Sequence, residues 1–288
     1  MARLVVASLA LTVALGCGGT STPPPEIPPI DDESMVGGGG GETGSDVAPE
    51  LPTEGGPRVR LGRVTVPMGQ SLELPGGACT EVVVFVENGN LRTPADEDLP
   101  GGTLYRTQRE TQLMAIEAST AIVSLNVPVA MAEEGDAEAD SDADPDADSD
   151  EGAAPVCAER VMGDIVMDIG SVEVLPNAGG KLEVRILLDT NEGATFGSFA
   201  ILEGEADLPV PVHTHEGTAE VLFIDSGDGT MILGERRFAI APGMVVYVPP
   251  DVEHGYEPGT APLRAYQVYD PPGPEQRFRP APAEEAAE

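Results

Sequence analysis

The segments PVHTHEGTAEVLFIDSG (211–227) and APGMVVYVPPDVEHG (241–255) decide the predicted fold and function of this chain. Together they hold His213, His215 and His254, which are all of the histidines among 288 residues. Histidine is a common ligand of transition metals. A chain that gathers all of its imidazoles in one short region is therefore predicted to build a metal site there.

The spacing of these residues supports a shared site. His213 and His215 are separated by one residue, so a strand places both side chains on the same face. Glu220 follows across a tight turn, and His254 follows the turn at Pro249-Pro250-Asp251, where a strand ends. Three imidazoles and one carboxylate suit iron, manganese, nickel, copper or zinc, and the sequence does not choose among them. We expect one divalent transition metal.

Two regions of the chain show β-strand patterns. Residues 157–275 contain short apolar runs separated by turn residues, including DIVMDI, KLEVRILL, AEVLFI and MVVYVP. Residues 57–131 show the same pattern without a histidine, as in RVRLGRVTV and EVVVFVENGNL. Many short strands with no long helix predict an all-β fold, with a sandwich or small barrel in residues 157–275 and a smaller β domain in residues 57–131.

The metal-site segments resemble a known family. Gly204–Gly227 is similar to the first cupin motif, G…HxH…E…G, and Gly234–His254 is similar to the second, G…PxG…H. The resemblance covers about residues 170–275 and implies a jelly-roll β-barrel with the metal inside. It also implies that the three histidines and Glu220 are the metal ligands, with Gly227, Pro242 and Gly243 as turn residues. Residues 57–131 are interpreted as a smaller β domain that a degenerate, metal-free cupin half would explain.

The cupin resemblance does not decide the function. Members of that family include dioxygenases, isomerases, decarboxylases and non-catalytic binding proteins. An enzyme would use the metal to polarise a small substrate or to activate oxygen, with Glu220 as a ligand or, once displaced, as a base. A binding or sensing module would hold a small ligand without turnover, and a structural protein would use the metal for stability alone. A homodimer is left open.

Five side chains on strands of the same domain are candidates to line the cavity, depending on strand register. They are Phe199, Ile201, Tyr247, Arg264 and Gln267. Arg264 is the expected clamp for a carboxylate or phosphate group, because guanidinium binds such anions through paired hydrogen bonds.

The N-terminal segment resembles a lipoprotein signal. Residues 1–17 hold one basic residue, a short apolar run and then small residues before Cys17. The sequence VALGC (13–17) resembles the bacterial lipobox, which implies lipidation of Cys17 and a membrane partner. Gly18 in place of aspartate after the cysteine resembles the outer-membrane class. We therefore expect a lipid anchor in the cell envelope, on the periplasmic or surface side.

Composition assigns the remaining segments. Residues 18–56 are rich in Gly, Pro, Ser and Thr, which predicts a disordered tether. Residues 132–156 form an acidic low-complexity insert, and residues 276–288 are interpreted as a loose tail. The formal net charge of −35 argues against a nucleic-acid partner, because phosphate would be repelled.

Two cysteines remain once Cys17 is assigned to the anchor. Cys79 and Cys157 are candidates for a disulfide, because an exported protein folds in an oxidising compartment. Such a bond would tie the end of the acidic insert to the first β domain.

Overall fold

The computed structural model describes residues 49–126 and 163–280, and these residues form strands, turns and short 3-10 helices with no α-helix. The 3-10 helices span Ile169–Ser171, Ala178–Gly180 and Pro274–Phe278. The strands are β1 (Val59–Val66), β2 (Ser71–Leu74), β3 (Glu81–Asn88), β4 (Asn90–Arg92), β5 (Asp98–Pro100), β6 (Thr103–Thr107), β7 (Thr111–Ala115), β8 (Ser119–Asn126), β9 (Ile165–Asp168), β10 (Leu175–Asn177), β11 (Leu182–Leu188), β12 (Phe199–Gly204), β13 (Val210–His213), β14 (Ala219–Ser226), β15 (Gly229–Leu233), β16 (Arg236–Ile240), β17 (Val245–Val248), β18 (His254–Pro258) and β19 (Leu263–Asp270).

The first half of the protein contains two antiparallel sheets around an apolar core. One sheet has the order β1-β8-β3-β6-β9 and the other has the order β2-β7-β4-β5. On β3, Val82, Val84 and Val86 face the core of this half, whereas Val83 and Phe85 belong to a different core on the opposite side. Both faces of β3 are buried, which explains why its sequence EVVVFV lacks the polar alternation of a half-exposed strand.

The second half repeats this two-sheet plan. A six-stranded sheet, β10-β11-β12-β19-β14-β17, lies opposite a four-stranded sheet, β13-β18-β15-β16. Ile224, Met231, Val246 and Ala265 form part of the apolar core of this half. The all-β prediction is therefore confirmed, and each half is a two-sheet, jelly-roll-like sandwich instead of a closed barrel.

The two halves pack through the outer faces of their larger sheets. The shared core joins residues such as Phe85 and Ile122 of the first half to Phe199, Val221 and Tyr266 of the second. The Phe85 ring lies 6.2 Å from Phe199 and 5.8 Å from Tyr266 between centroids, which is within the range of favourable aromatic packing.

The boundary between the halves differs from the predicted one. β9 lies inside the region 157–275 that was assigned to the metal-binding domain, yet it pairs with β6 as the edge strand of the first half's sheet. The chain thus enters the second half after Asp168. Apolar alternation identified β9 as a strand, but the sequence pattern alone does not show which sheet a strand joins.

The ends of the described segments are packed against the protein. Residues 49–56 belong to the predicted tether, but Leu51 lies against the core of the first half and the Gly56 amide donates to the Val59 carbonyl at 2.8 Å. Residues 276–280 belong to the predicted loose tail, but they continue a 3-10 helix whose side chains bond the second half.

Several predicted features lie outside the described residues. They are the signal segment 1–17 with Cys17, residues 18–48 of the tether, the acidic insert 132–156, Cys157 and residues 281–288. The pairing of Cys79 with Cys157 therefore stays a prediction. Among the described residues, no helix is long and apolar enough to cross a membrane.

Candidate metal centre

The three histidines meet at one end of the second half, as predicted. His213 ends β13 and pairs in register with His254, the first residue of β18. His215 follows two residues after His213, so its side chain returns to the same side of the chain. The ring centroids of His213 and His254 lie 4.2 Å apart, and one nitrogen from each of the three rings lies within 4.8 Å of the others. This is the only such group found among the described residues.

Backbone carbonyls orient two of the imidazoles. Nδ1 of His213 lies 2.9 Å from the Pro211 carbonyl, and Nδ1 of His254 lies 2.8 Å from the Val252 carbonyl. A carbonyl only accepts hydrogen bonds, so Nδ1 of each ring carries the proton and Nε2 keeps a free lone pair. Both Nε2 atoms are buried and form no hydrogen bond. Two buried acceptors that point into one space match what a metal ion requires.

Glu220 lies beside the three histidines. Its side chain starts β14 and is buried, with Oε2 at 3.0 Å from His254 Nε2 and 3.6 Å from His215 Nε2. The other oxygen, Oε1, accepts hydrogen bonds from Gln267 Nε2 and from the Tyr269 hydroxyl, the latter at 3.3 Å. Gln267 and Tyr269 thus fix the carboxylate with Oε2 directed towards the histidines, which is the role of supporting residues around a metal ligand.

The pKa shifts of Glu220 and His213 favour the deprotonated forms that bind a metal ion. Burial alone would raise the pKa of Glu220, but the adjacent imidazoles of His215 and His254 outweigh burial and hold its pKa well below the ordinary value. Burial lowers the pKa of His213, which keeps that ring neutral. Burial also acts to lower the pKa of His254, but the Glu220 carboxylate outweighs it and raises that pKa. A proton on His254 therefore competes with the metal for the same lone pair.

A cavity of about 400 Å³ adjoins His213, Glu220 and His254. Its wall is largely aliphatic, and Leu202, Leu222, Ile224, Met231 and Leu263 belong to it. Among its lining residues, only Glu205, Glu220 and Arg277 carry an acidic side chain or a guanidinium. The volume is that of a pocket for a small organic molecule, and the wall favours an apolar one.

Of the five predicted lining residues, Gln267 alone lines this cavity. Phe199 and Ile201 lie in the core between the halves, and Tyr247 packs against that core. Arg264 also faces the first half, where it pairs with Asp225 at 2.8 Å, so the predicted anion clamp lies away from the metal centre.

Strand parity explains the difference on β19. Gln267 and Arg264 are three residues apart, so the alternation of a strand directs them to opposite faces. The same alternation puts Ala265, Gln267 and Tyr269 on the side of the metal centre and Tyr266 on the side of the first half.

The structure adds three residues that the sequence did not identify. Tyr269 contacts Glu220 and lies 3.4 Å from His215 Nε2 through its hydroxyl. Its two-residue spacing from Gln267 was the available signal. Arg277 and Phe278 line the cavity from the segment that was interpreted as loose tail, and no sequence pattern marked them.

The comparisons with known proteins agree with this geometry. Residues 199–269 match the family described as Cupin domain. This part of the chain is a cupin domain. The match contains His213, His215, Glu220 and His254, and the cupin motifs noted in the sequence are thereby confirmed. A search of the curated proteins gives no match.

Solved cupin structures extend the likeness to both halves. Oxalate decarboxylase from Lactobacillus farciminis, in complex with formate, aligns at a TM-score of 0.54 and 14% identity over 75% of this chain and 78% of its own. A glyoxylate-induced protein from Pseudomonas aeruginosa aligns at 0.51 and 12% identity over 74% of each chain. A structure of Bacillus subtilis oxalate decarboxylase, a protein described as having Mn(II) centres, aligns at a TM-score of 0.53 and 15% identity over 75% of this chain and 70% of its own. Alignments of this length include both sandwiches, so the protein has a two-domain, bicupin architecture.

The first half has a cupin-like fold, and no cluster of metal-ligating side chains is found among its described residues. Its interior is filled by aliphatic side chains such as Val82, Leu91, Leu99 and Leu113, all fully buried. All three histidines of the chain lie in the second half. The interpretation of the first domain as a degenerate cupin half agrees with this core.

Proposed function

We propose that this protein is a metal-dependent cupin that binds one divalent transition metal through His213, His215, His254 and Glu220 and acts on a small molecule in the adjoining cavity. The observation that carries the proposal is the pair of buried, unbonded Nε2 atoms of His213 and His254 beside the buried Glu220 carboxylate. Without a bound cation, each buried acceptor costs about 1–3 kcal/mol. A metal ion removes that cost and uses the Glu220 charge.

The ligand set accepts several metals. Three nitrogen ligands and one carboxylate suit iron, manganese, nickel, copper or zinc. The Mn(II) centres named for the Bacillus subtilis oxalate decarboxylase make manganese the first metal to test. When bound, such an ion supplies Lewis-acid polarisation of a substrate oxygen.

The surrounding residues prepare the site for chemistry on a small molecule. Gln267 and Tyr269 hold Glu220 Oε1, so the carboxylate keeps its orientation as a ligand, and it can accept a proton if a substrate displaces it. Burial raises the pKa of Tyr269 well above its ordinary value, and the Glu220 charge raises it further. The phenol therefore keeps its proton and remains a hydrogen-bond donor. The aliphatic wall excludes water from these groups.

Metal analysis tests the proposal. Full-length protein loaded with Mn(II) or Zn(II) and freed of excess metal is expected to hold close to one ion per chain. Replacement of His254 by Ala or of Glu220 by Gln should weaken metal affinity more than about 100-fold, because loss of a direct ligand exceeds the 10- to 100-fold effect of a supporting residue.

Two neighbouring residues give matched controls. Thr214 lies between the histidines and Glu216 follows them, and both side chains are exposed. The variants Thr214→Ala and Glu216→Gln should bind metal like the wild type. A wild-type chain that holds no metal after loading would overturn the proposal. Metal binding together with small-molecule binding but no turnover would favour a binding module over an enzyme.

We further propose that the protein is exported and anchored to the cell envelope through a lipid on Cys17, with the outer membrane as its location. The support is the lipobox-like sequence VALGC and the linker-like composition that follows it. Expression of the Cys17→Ser variant should move the protein from the membrane fraction to the soluble fraction. Membrane retention of that variant would contradict the anchor.

A further inference from the structure

Arg277 lies beside the proposed metal centre. One of its terminal nitrogens, NH1, is 3.2 Å from His215 Nε2 and 3.3 Å from Nδ1 of the same ring. The other, NH2, donates to the Tyr269 hydroxyl at 2.7 Å. Arg277 is exposed and carries the only guanidinium among the lining residues of the cavity.

A short C-terminal strap, residues 273–280, holds Arg277 in this place. Asp189 is fully buried and accepts hydrogen bonds from Gln276 Nε2 at 2.5 Å and from Arg279 NH2 at 2.7 Å, on either side of Arg277. The Asn177 side chain donates to the Phe278 carbonyl at 3.1 Å. The strap is therefore fastened at three residues, and the position of Arg277 is determined by the fold.

Metal binding removes the one acceptor that His215 can offer to Arg277. A neutral imidazole has one lone pair and one N–H group. If either ring nitrogen binds a metal, the other nitrogen carries the proton, so neither nitrogen can accept a hydrogen bond from Arg277. The NH1 group then needs another acceptor next to the metal, and among the described residues no carboxylate pairs with Arg277.

The charge of the loaded site points to an anion. A divalent metal and Arg277 bring three positive charges, and Glu220 opposes them with one negative charge. Glu205, the other acidic residue in the lining, is exposed at the rim. Because the rest of the wall is largely apolar, the excess positive charge is not screened by neighbouring side chains, and an anionic ligand group is favoured.

The aliphatic cavity wall determines the polarity of the rest of the ligand. Leu202, Leu222, Ile224, Met231 and Phe278 surround the space next to this charged end. A molecule with a charged group at each end would bury one of them against aliphatic side chains without a partner, which is unfavourable. A ligand with one anionic group and an apolar body places its charge beside the metal and Arg277 and its apolar body against the aliphatic wall.

We propose that Arg277 binds the carboxylate of a small monocarboxylate whose apolar body fills the cavity, and that this is the substrate class of the site. A planar guanidinium matches the two oxygens of a carboxylate, which favours this anion. The inference rests on the proposed metal centre, since the metal frees NH1 and supplies part of the positive charge.

Isothermal titration calorimetry of the metal-loaded, full-length protein tests the proposal with phenylacetate as the probe. Phenylacetate is expected to bind at least 10-fold more tightly than the neutral 2-phenylacetamide and more tightly than oxalate. Arg277→Gln is expected to weaken phenylacetate binding about 10-fold or more, the usual effect of losing a hydrogen bond to a charged group. Arg277→Lys, which keeps the charge, should bind more tightly than Arg277→Gln.

The controls separate this inference from the proposed function. Arg236 is exposed and lies outside the cavity, so Arg236→Gln should bind phenylacetate like the wild type. Metal content is measured for every variant and should stay near one ion per chain. If metal binds but Arg277→Gln leaves phenylacetate affinity unchanged, or the amide or oxalate binds as tightly as phenylacetate, the substrate class is wrong while the metal centre stands. If no metal binds to the wild type, both proposals fail.

Discussion

Replacement of Asp189 by Asn should release the C-terminal strap from the second half. The Asp189 carboxylate is fully buried and receives the two strap hydrogen bonds from Gln276 and Arg279, besides one from the Asn191 amide at 2.6 Å. Burial acts to raise the pKa of Asp189, but its hydrogen bonds outweigh burial and lower that pKa, so the group is ionised at neutral pH. Each hydrogen bond to a charged group contributes about 1.5–3 kcal/mol.

The structure gives an estimate for the size of the effect. Asparagine keeps the shape and one acceptor oxygen, so part of the bonding is retained and the docking of the strap should weaken by about 2–4 kcal/mol. This corresponds to a 30- to 1000-fold larger population of the released strap, since about 1.4 kcal/mol is a factor of ten. Because Arg277 is carried by the strap, its position beside His215 would be lost with it.

Hydrogen exchange measured by mass spectrometry provides the assay. In Asp189→Asn, the amides of Gln276 and Arg279, which bond within the strap, should exchange faster, while those of β14 and β19 keep their wild-type protection. Metal content should be unchanged and phenylacetate affinity should fall. Asp207→Asn is the matched control, because Asp207 is an exposed partner of Lys181. Unchanged exchange in residues 273–280 would refute the role given to Asp189.

Three further predictions concern the rest of the molecule. Burial and the nearby Asp189 charge raise the pKa of Glu192 from 4.5 to about 7. The folded protein therefore binds this proton more tightly than the unfolded chain, and the resulting contribution to stability is lost as the pH rises through 7. Glu192→Gln should therefore flatten the fall in Tm between about pH 5 and 8, and an unchanged pH profile would contradict this. Glu81 and Arg106 form a fully buried ion pair, and Glu81→Gln should lower the free energy of unfolding by about 3–5 kcal/mol in urea denaturation; a loss below 1 kcal/mol would be inconsistent with it. Cys79→Ser should abolish the predicted disulfide to Cys157, and peptide mapping of the non-reduced wild type should show that link; two free thiols there would disprove it.

The sequence identified the cluster of three histidines because the information that specifies it is local. The one-residue separation of His213 and His215 sets both side chains on one side of a strand end. Glu220 and His254 lie at the beginnings of the two strands that follow the turns recognised in the sequence. Short-range geometry of this kind depends on backbone alternation and turn chemistry, both of which can be read from residue order. The structure brings the three histidines together as expected.

The cavity wall could not be predicted in the same way, because it depends on which face of each strand is covered. In this protein both faces of the six-stranded sheet are covered, one by the first half and one by the site. Alternate residues of β12 and β19 are therefore equally apolar, and composition does not distinguish Ile201 from Leu202. Arg277 was missed for a different reason: its location depends on the buried Asp189, which lies 88 positions earlier in the chain.

The first half supports the proposed metal centre through the apolar core that both halves share. On β14, Glu220 faces the histidines, while Val221 and Phe223 lie in the core against the first half. On β19, Gln267 faces Glu220, while Tyr266 and Val268 are fully buried in that same core. Rigid packing behind a strand limits the movement of the side chains in front of it. The first half therefore supports the carboxylate and its hydrogen-bonding partners from behind the sheet, while its own described interior is filled with aliphatic residues.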